Sequence, residues 1–227
     1  MTSLVDAICS YNKGQTNLQL HIYHPDKLTL IGTMSPVTIH DLEDDLFIET
    51  ITCWRNQHMD KFFSDFVAKP ERTRKWLHNF LQYSCCQMLF KIYEDSNFVG
   101  HLGFKDLNDS SVVLDNAIKG LSTKEPRLFI YAHHVLASWL FRSSNITSIL
   151  GYVYTDNIPA IMMNKEIGWR GWSRIPLFKF TNSAGESTFS PQADSATASE
   201  PTSFCYELLL EYSDVPNSRG SSSSLSG

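Results

Sequence analysis

Charge is scarce in this sequence. Asp, Glu, Lys and Arg make up 19% of its 227 residues, and acid outnumbers base, for a formal net charge of −5. Nucleic acids and anionic membrane surfaces are gripped by clustered Lys and Arg. The one basic cluster, Arg72, Arg74 and Lys75, is short and falls in a predicted helix as a solvated face. Neither nucleic acid nor membrane is the expected partner. Cysteine is sparse as well: Cys9, Cys53, Cys85, Cys86 and Cys205 form no Cys-x-x-Cys pair and no metal-ligand spacing. That excludes a structural zinc site, predicts no bound metal, and suits five free thiols in a reducing compartment. No apolar run is long enough to cross a bilayer, since LFIYAHHVLASWLF (128–141) is short and carries two histidines. The opening residues lack the basic start and apolar centre of a secretory leader. A cytoplasmic protein is the expectation. No internal repeat is visible.

What the chain does have is apolar residues, 42% of the total, enough to build one core of ordinary size. Residues 1–27 show no clear period and read as a lead-in. LTLIGT (28–33) reads as a strand. Thr38 and Asp41 form a capping box ahead of Leu42, Leu46, Phe47, Ile51 and Trp54 at helical spacing. Pro70-Glu71 opens a second helix with Trp76, Leu77, Phe80 and Leu81 on one face. CQMLFKIY and FVGHLGF flank a polar turn and predict an antiparallel hairpin. SVVLDNAIKG (111–120) is a further strand, and after Pro126 an amphipathic helix runs to about Arg142. ITSILGYVYT (146–155), a short helix, and the strands RIPLFKF and FCYELLLEY complete the pattern.

Strand, helix, strand from 111 to 155 requires a right-handed crossover and parallel pairing, whereas the hairpin before it is antiparallel. The expected architecture is α/β: a mixed sheet of about seven strands flanked by helices, in a single domain over 28–213. Ser, Thr and Ala dominate 181–203, which reads as a flexible insertion. The tail 214–227 reads as disordered.

The stretch DNIPAIMMNKEIGWRGW (156–172) carries a family signature. Asn157, Ala160 and Gly168-Trp169 follow a strand in the pattern Asn-x-x-Ala, then Gly-aromatic. Upstream stand Trp54-Arg55-Asn56, Trp76-Leu77, Gly100 and Gly103. In this order, over roughly 28–180, they resemble the GNAT superfamily of acyl-CoA-dependent N-acetyltransferases, in its ribosomal-protein-acetyltransferase-like and sugar-amine branch. DNAIKG (115–120) followed by Pro-Arg-Leu-Phe (126–129) resembles a subgroup found with nucleotide-sugar and surface-polysaccharide genes. The sequence departs from the superfamily where a basic residue and two glycines usually form a pyrophosphate loop, because only Gly120 remains.

The resemblance implies transfer of acetyl from the co-substrate acetyl-CoA to a small-molecule primary amine. The favoured acceptor is an amino-sugar nucleotide; a protein N-terminus, an antibiotic amine, or a non-catalytic acyl-CoA-binding module are alternatives. It implies cofactor contacts at Ile118, Lys119, Gly120, Arg127, Leu128, Phe129, Ile130, Asn157 and Asn164, and acceptor contacts at Trp54, Arg55, Asn56 and Asp115. A helix N-terminus has free N–H groups and partial positive charge that suit a pyrophosphate; a plain Pro-started helix is the other reading of 126–130. Asn157 reads equally as a helix cap.

For chemistry, Asp115 interrupts an apolar strand, where a lone carboxylate is costly. It reads as the base or amine ligand, or as a structural Asp paired with a neighbouring Lys. His101, near pH 6.5 when unperturbed, is a second base candidate or a core histidine. Asn164 stands where many members carry the acid Tyr; it can hydrogen-bond a sulfur but not protonate it, leaving Tyr152 or Tyr154 as substitutes. His133 and His134 are adjacent on a helix, face apart, and read as structural. Late strands bearing an insertion often make dimer contacts, so a homodimer is compatible with the pattern.

Overall fold

The apolar runs build one mixed sheet of ten strands among residues 3–25, 28–191 and 200–215, which the computed structural model describes. The strands are β1 (Leu20–Tyr23), β2 (Leu30–Pro36), β3 (Ser64–Asp65), β4 (Met88–Glu94), β5 (Asn97–Lys105), β6 (Ser111–Lys119), β7 (Ser148–Tyr154), β8 (Arg170–Thr181), β9 (Ser187–Ser190) and β10 (Ser203–Glu211). The helices are α1 (Leu4–Asn12), α2 (Asp45–Gln57), α3 (Pro70–Gln82), α4 (Leu128–Ser143) and α5 (Ile158–Ile167). Sheet order is β1-β2-β4-β5-β6-β7-β10-β8-β9-β3. Every pairing is antiparallel except that of β6 with β7.

The strand count exceeds the expected seven. β1 and α1 arise in the segment read as a lead-in, where Ser3 caps α1 in a capping box with Asp6. β9 forms inside 181–203, and the two-residue β3 pairs with it. Residues 192–199 of the Ser-rich insertion and 216–227 of the tail lie outside the described residues.

Alternation along the central strands feeds two cores. Phe90, Ile92, Leu102, Phe104, Val112 and Leu114 pack with Ile8 of α1, the apolar face of α4 and Ile161 of α5. Leu89 and Ile118 point the other way, toward Phe47, Ile48, Ile51 and Trp54 of α2 and Leu77, Phe80 and Leu81 of α3. Burying each such Leu, Ile or Phe stabilises by about 1.5–3 kcal/mol. The sheet is thus covered on both faces, as its parallel pair requires.

Local signals explain the boundaries. The Thr38–Asp41 capping box closes a 3₁₀ turn, Ile39–Glu43, and not the helix itself; α2 starts two residues later, with the Asp44 carboxylate accepting from the Phe47 amide at 3.0 Å. Asp95 and Ser96 both adopt positive φ, the type I′ geometry that joins β4 to β5. Asn157 caps α5 by accepting from the Ala160 amide. Gly168, at φ 98°, ends the helix while Trp169 N–H returns to the Asn164 carbonyl at 3.1 Å. The Trp169 ring then packs against Gly151 of β7. Asn-x-x-Ala and Gly-Trp are therefore the two ends of one helix laid on the sheet.

The expectation of five free thiols is corrected at two positions. Cys9 of α1 and Cys85 after α3 are joined in a disulfide, with Cα atoms 4.9 Å apart. A spacing of 76 residues hid a pair that the fold brings together. Cys53, Cys86 and Cys205 remain thiols. No helix among the described residues is long and apolar enough to cross a membrane.

Candidate active site

The parallel pair parts early. β6 and β7 match only at Ser111–Ser148, Val112–Ile149 and Val113–Leu150. Beyond these, β6 stays paired to β5 as far as Lys119–Gly100, and β7 stays paired to β10 as far as Tyr154–Cys205. Both strands continue, but away from each other. Between them lies a wedge in which the β6 backbone has no strand partner on its β7 side.

A bulge accompanies the parting. Across β5–β6 the register slips between His101 and Gly103, and Asn116 takes φ 54°. An extra residue bends the bulged strand and adds twist, and Asn is among the few residues that tolerate left-handed backbone. The Asn116 carbonyl can only accept, so His101 donates to it from Nδ1 at 2.7 Å. Burial pushes the His101 pKa down to about 4, against a smaller upward pull from this bond and from Asp115. The ring is neutral at physiological pH.

On the α2–α3 side of the bulge is a cavity of about 320 Å³. His101, Asn116 and Ile118 form its sheet wall, and Arg55, Phe66, Arg72 and Trp76 line the opposite side. No carboxylate among the described residues lines it. Phe66 is sandwiched between two guanidiniums, Arg55 at 4.0 Å and Arg72 at 3.4 Å from the ring centre. Arg55 also donates to the carbonyls of Phe66 (2.8 Å) and Ser64 (2.7 Å). Burial, and then the charge of Arg72, lower its pKa, while Asp65 opposes. Arg72 forks onto Glu186 in the turn before β9.

The expected site residues divide. His101, Arg55 and Ile118 reach the cavity. Trp54, expected to stack on an acceptor ring, is instead 5% exposed; its indole lies on Gly120, where an added Cβ would fall 2.0 Å from Cε2. Asn56 is taken up by the backbone of Ala68, donating to its carbonyl at 2.9 Å and accepting from its amide at 2.8 Å. Asp115 faces Lys105, Oδ2 to Nζ 2.9 Å, outside the cavity lining. Asn164 is half-buried on α5. Tyr152 donates to Glu207 at 2.8 Å, and burial with that carboxylate pushes its pKa up to about 12. Tyr154 donates to the Phe62 carbonyl at 3.3 Å, and burial raises its pKa too. His133 and His134 bond to the Phe129 and Ile167 carbonyls, in structural roles.

Of the amides expected to receive a pyrophosphate, those of Gly120, Arg127 and Leu128 are engaged, whereas those of Phe129 and Ile130 have no acceptor among the described residues. Gly120 N–H donates to the Val99 carbonyl at 2.9 Å, Arg127 N–H to the Glu125 carboxylate at 3.0 Å, and Leu128 N–H to the Glu125 carbonyl at 3.1 Å. Lys119 is exposed at the end of β6, and Phe129 and Ile130 are buried in the first turn of α4.

Sequence reasoning missed Phe62, Ser64, Phe66, Arg72 and Trp76 as cavity residues. The signal available was the loop HMDKFFSDFVAK (58–69), aromatic yet without helical or strand period.

No protein-family model matches the chain, and no curated protein matches it in sequence. Solved structures do. Spermidine N-acetyltransferase from Vibrio cholerae, in complex with CoA and spermine, superposes with a TM-score of 0.60 at 14% identity, covering 82% of this chain and 98% of that one. A probable GNAT-family acetyltransferase from Chromobacterium violaceum gives 0.59 at 11% identity, covering 85% and 89%. An acetyl transferase from Salmonella typhimurium that modifies the N-terminal serine of a 50S ribosomal subunit protein gives 0.57 at 10% identity, covering 81% and 96%. The chain has the acyl-CoA N-acyltransferase fold of the GNAT acetyltransferases.

Proposed function

We propose that the chain is an N-acetyltransferase that moves an acetyl group from acetyl-CoA to a primary amine, with an amino-sugar nucleotide as its favoured acceptor. The observation that carries this reading is the parting of β6 from β7 after Val113 and Leu150. The wedge would take the pantetheine arm of the donor. Amide hydrogens of β6 past the last pair would meet the thioester oxygen, where fixed backbone donors stabilise developing negative charge. Acetyl-CoA supplies the activated acyl group.

On the acceptor side, the cavity supports an anionic ring compound. Arg55 suits phosphate or carboxylate, as does Arg72 once Glu186 releases it, and Phe66 and Trp76 offer apolar planes. A polycation such as the spermine bound to the Vibrio cholerae protein would meet two guanidiniums and no carboxylate in this wall. His101, with its Nδ1 hydrogen committed to Asn116, has only Nε2 left to accept from an amine. Its depressed pKa makes it an orienting acceptor for an amine that has already lost its proton to water. Asp115 retains the role of amine ligand or base if Lys105 releases it, and Asn164 that of a hydrogen-bond partner to the thiol sulfur.

One observation favours a second reading, a non-catalytic acyl-CoA-binding module. Asn164 cannot donate a proton to a leaving thiolate, and both candidate tyrosines already donate elsewhere. A thiol-release assay with acetyl-CoA separates the readings, run over a nucleotide-linked amino sugar, a free amino sugar, an N-terminal peptide, an aminoglycoside and spermidine. Turnover highest with the nucleotide-linked sugar, and weakened by Arg72→Ala through KM, is expected. Turnover confined to spermidine or peptide would replace the acceptor; CoA binding with no turnover on any amine would favour the module.

A further inference from the structure

The cavity wall commits its own hydrogens inward, and that limits what a ligand can find there. Two polar residues of the described lining are buried, His101 at 4% exposed and Thr73 at 8%. Thr73, in the opening turn of α3, stands against Thr52 of α2 with 2.7 Å between the two hydroxyl oxygens. Thr52 Oγ1 also lies 2.7 Å from the Ile48 carbonyl oxygen, four residues back. A carbonyl can only accept, so the one Thr52 hydrogen goes to Ile48. The hydrogen between the two hydroxyls then comes from Thr73. With that hydrogen given away, Thr73 offers a ligand only lone pairs. His101 is committed in the same sense: its Nδ1 hydrogen goes to the Asn116 carbonyl, and Nε2 is left as an acceptor. The buried polar points of the wall are thus two acceptors, while Arg55 and Arg72 bring donors alone.

We propose that Thr73 is a substrate-specificity residue: its Oγ1 receives a hydrogen bond from a hydroxyl of the amine substrate, while His101 Nε2 meets the amine itself. This rests on the N-acetyltransferase reading in taking an amine as the occupant of the cavity. Two acceptors beside two cations call for a ligand that is anionic and also carries O–H and N–H donors, the chemistry of a phosphorylated amino sugar. The bond between Thr73 and Thr52 holds the hydroxyl in one orientation before any ligand arrives. An amine of equal charge but without hydroxyls leaves the Thr73 lone pairs against an apolar surface. A buried polar group deprived of its partner is where such a site discriminates.

The test is calorimetric titration of the full chain with two probes, glucosamine 1-phosphate and 2-aminocyclohexyl phosphate. Both carry a phosphate and an amine on adjacent ring carbons, and only the first has further hydroxyls. The wild type is expected to favour glucosamine 1-phosphate about tenfold. Thr73→Val keeps the shape, removes the oxygen and leaves Thr52 its bond to Ile48. It is expected to weaken glucosamine 1-phosphate about fivefold to tenfold and to leave 2-aminocyclohexyl phosphate within about twofold. Thr73→Ser, which keeps the hydroxyl, is expected to retain the parental preference. A wild type that binds both probes equally, or neither, would overturn the proposal without need of a variant. Equal weakening of both probes by Thr73→Val would make Thr73 a packing residue and overturn it as well, as would unchanged affinity. The expected binding pattern with no thiol release from acetyl-CoA on glucosamine 1-phosphate would remove the enzymatic reading and leave the role of Thr73 in recognition standing.

Discussion

His101 reaches 2.7 Å across from β5 to the carbonyl oxygen of Asn116, and that bond fastens the cavity wall to the bulge beside the wedge. The cavity and the wedge therefore share one short piece of backbone. The cavity touches the ring and the bulge; the wedge begins on the other side of the same strand.

Asn116 holds φ 54°, which costs an L-residue roughly 1–2 kcal/mol unless its side chain tolerates the left-handed region. Asn116→Gly is expected to unfold in urea close to the parent. Asn116→Val is expected to lose about 1–2 kcal/mol and to bind CoA more weakly as the bulge relaxes. A valine variant with parental stability and CoA affinity would separate the bulge from the wedge.

Acid should destabilise the fold through its histidines. Burial holds His101 and His133 at about 4, while an unfolded histidine titrates near 6.5. Between these values the unfolded chain binds protons that the folded chain refuses, so stability falls as pH drops through this window. The loss approaches about 3 kcal/mol per histidine near pH 4, and neither ring contributes slope above about pH 7. Thermal unfolding from pH 7.5 to 4.5 is expected to show this decline, flattened in a His101→Asn, His133→Gln double variant. Parallel profiles for parent and double variant would contradict buried neutral rings.

Gly120 carries the Trp54 indole where a side chain would stand. Gly120→Ala is expected to cost about 1–3 kcal/mol through overpacking. Trimming the indole in the same chain, Trp54→Leu, should recover part of that cost in a double-mutant cycle. Additive losses would show that the two positions are not in contact.

Thiol counting checks the disulfide. Alkylation of the denatured chain is expected to modify Cys53, Cys86 and Cys205 without reductant and all five cysteines after reduction, read by intact mass. Five modified thiols in the unreduced chain would place Cys9 and Cys85 apart.

Much of the fold could be read from period and punctuation. Pro70, Gly168 and the polar turn at Asp95-Ser96 mark element ends because each residue type answers a local backbone demand. The parting of β6 from β7 leaves no mark on composition, since what is missing there is a backbone partner. The cavity wall was not legible for a different reason. Phe62, Phe66, Arg72 and Trp76 come from a loop and a helix face, and their convergence depends on β3 pairing with β9, more than a hundred positions later. Trp54 misled because an aromatic at a helix end suits a ligand and a core equally; only the missing side chain of Gly120, far along the chain, decides for the core. Cys9 and Cys85 failed likewise, by distance.

β10 lies between β7 and β8, though it is the last of the ten strands to be made. Until residues 203–211 emerge from the ribosome, β7 and β8 are two bare borders with unsatisfied amides, open to capture by other chains. One bank of the wedge is thus finished only once Ser203–Glu211 has been made. Translation order itself delays competence, and nascent chains halted before Ser203 are expected to need a chaperone.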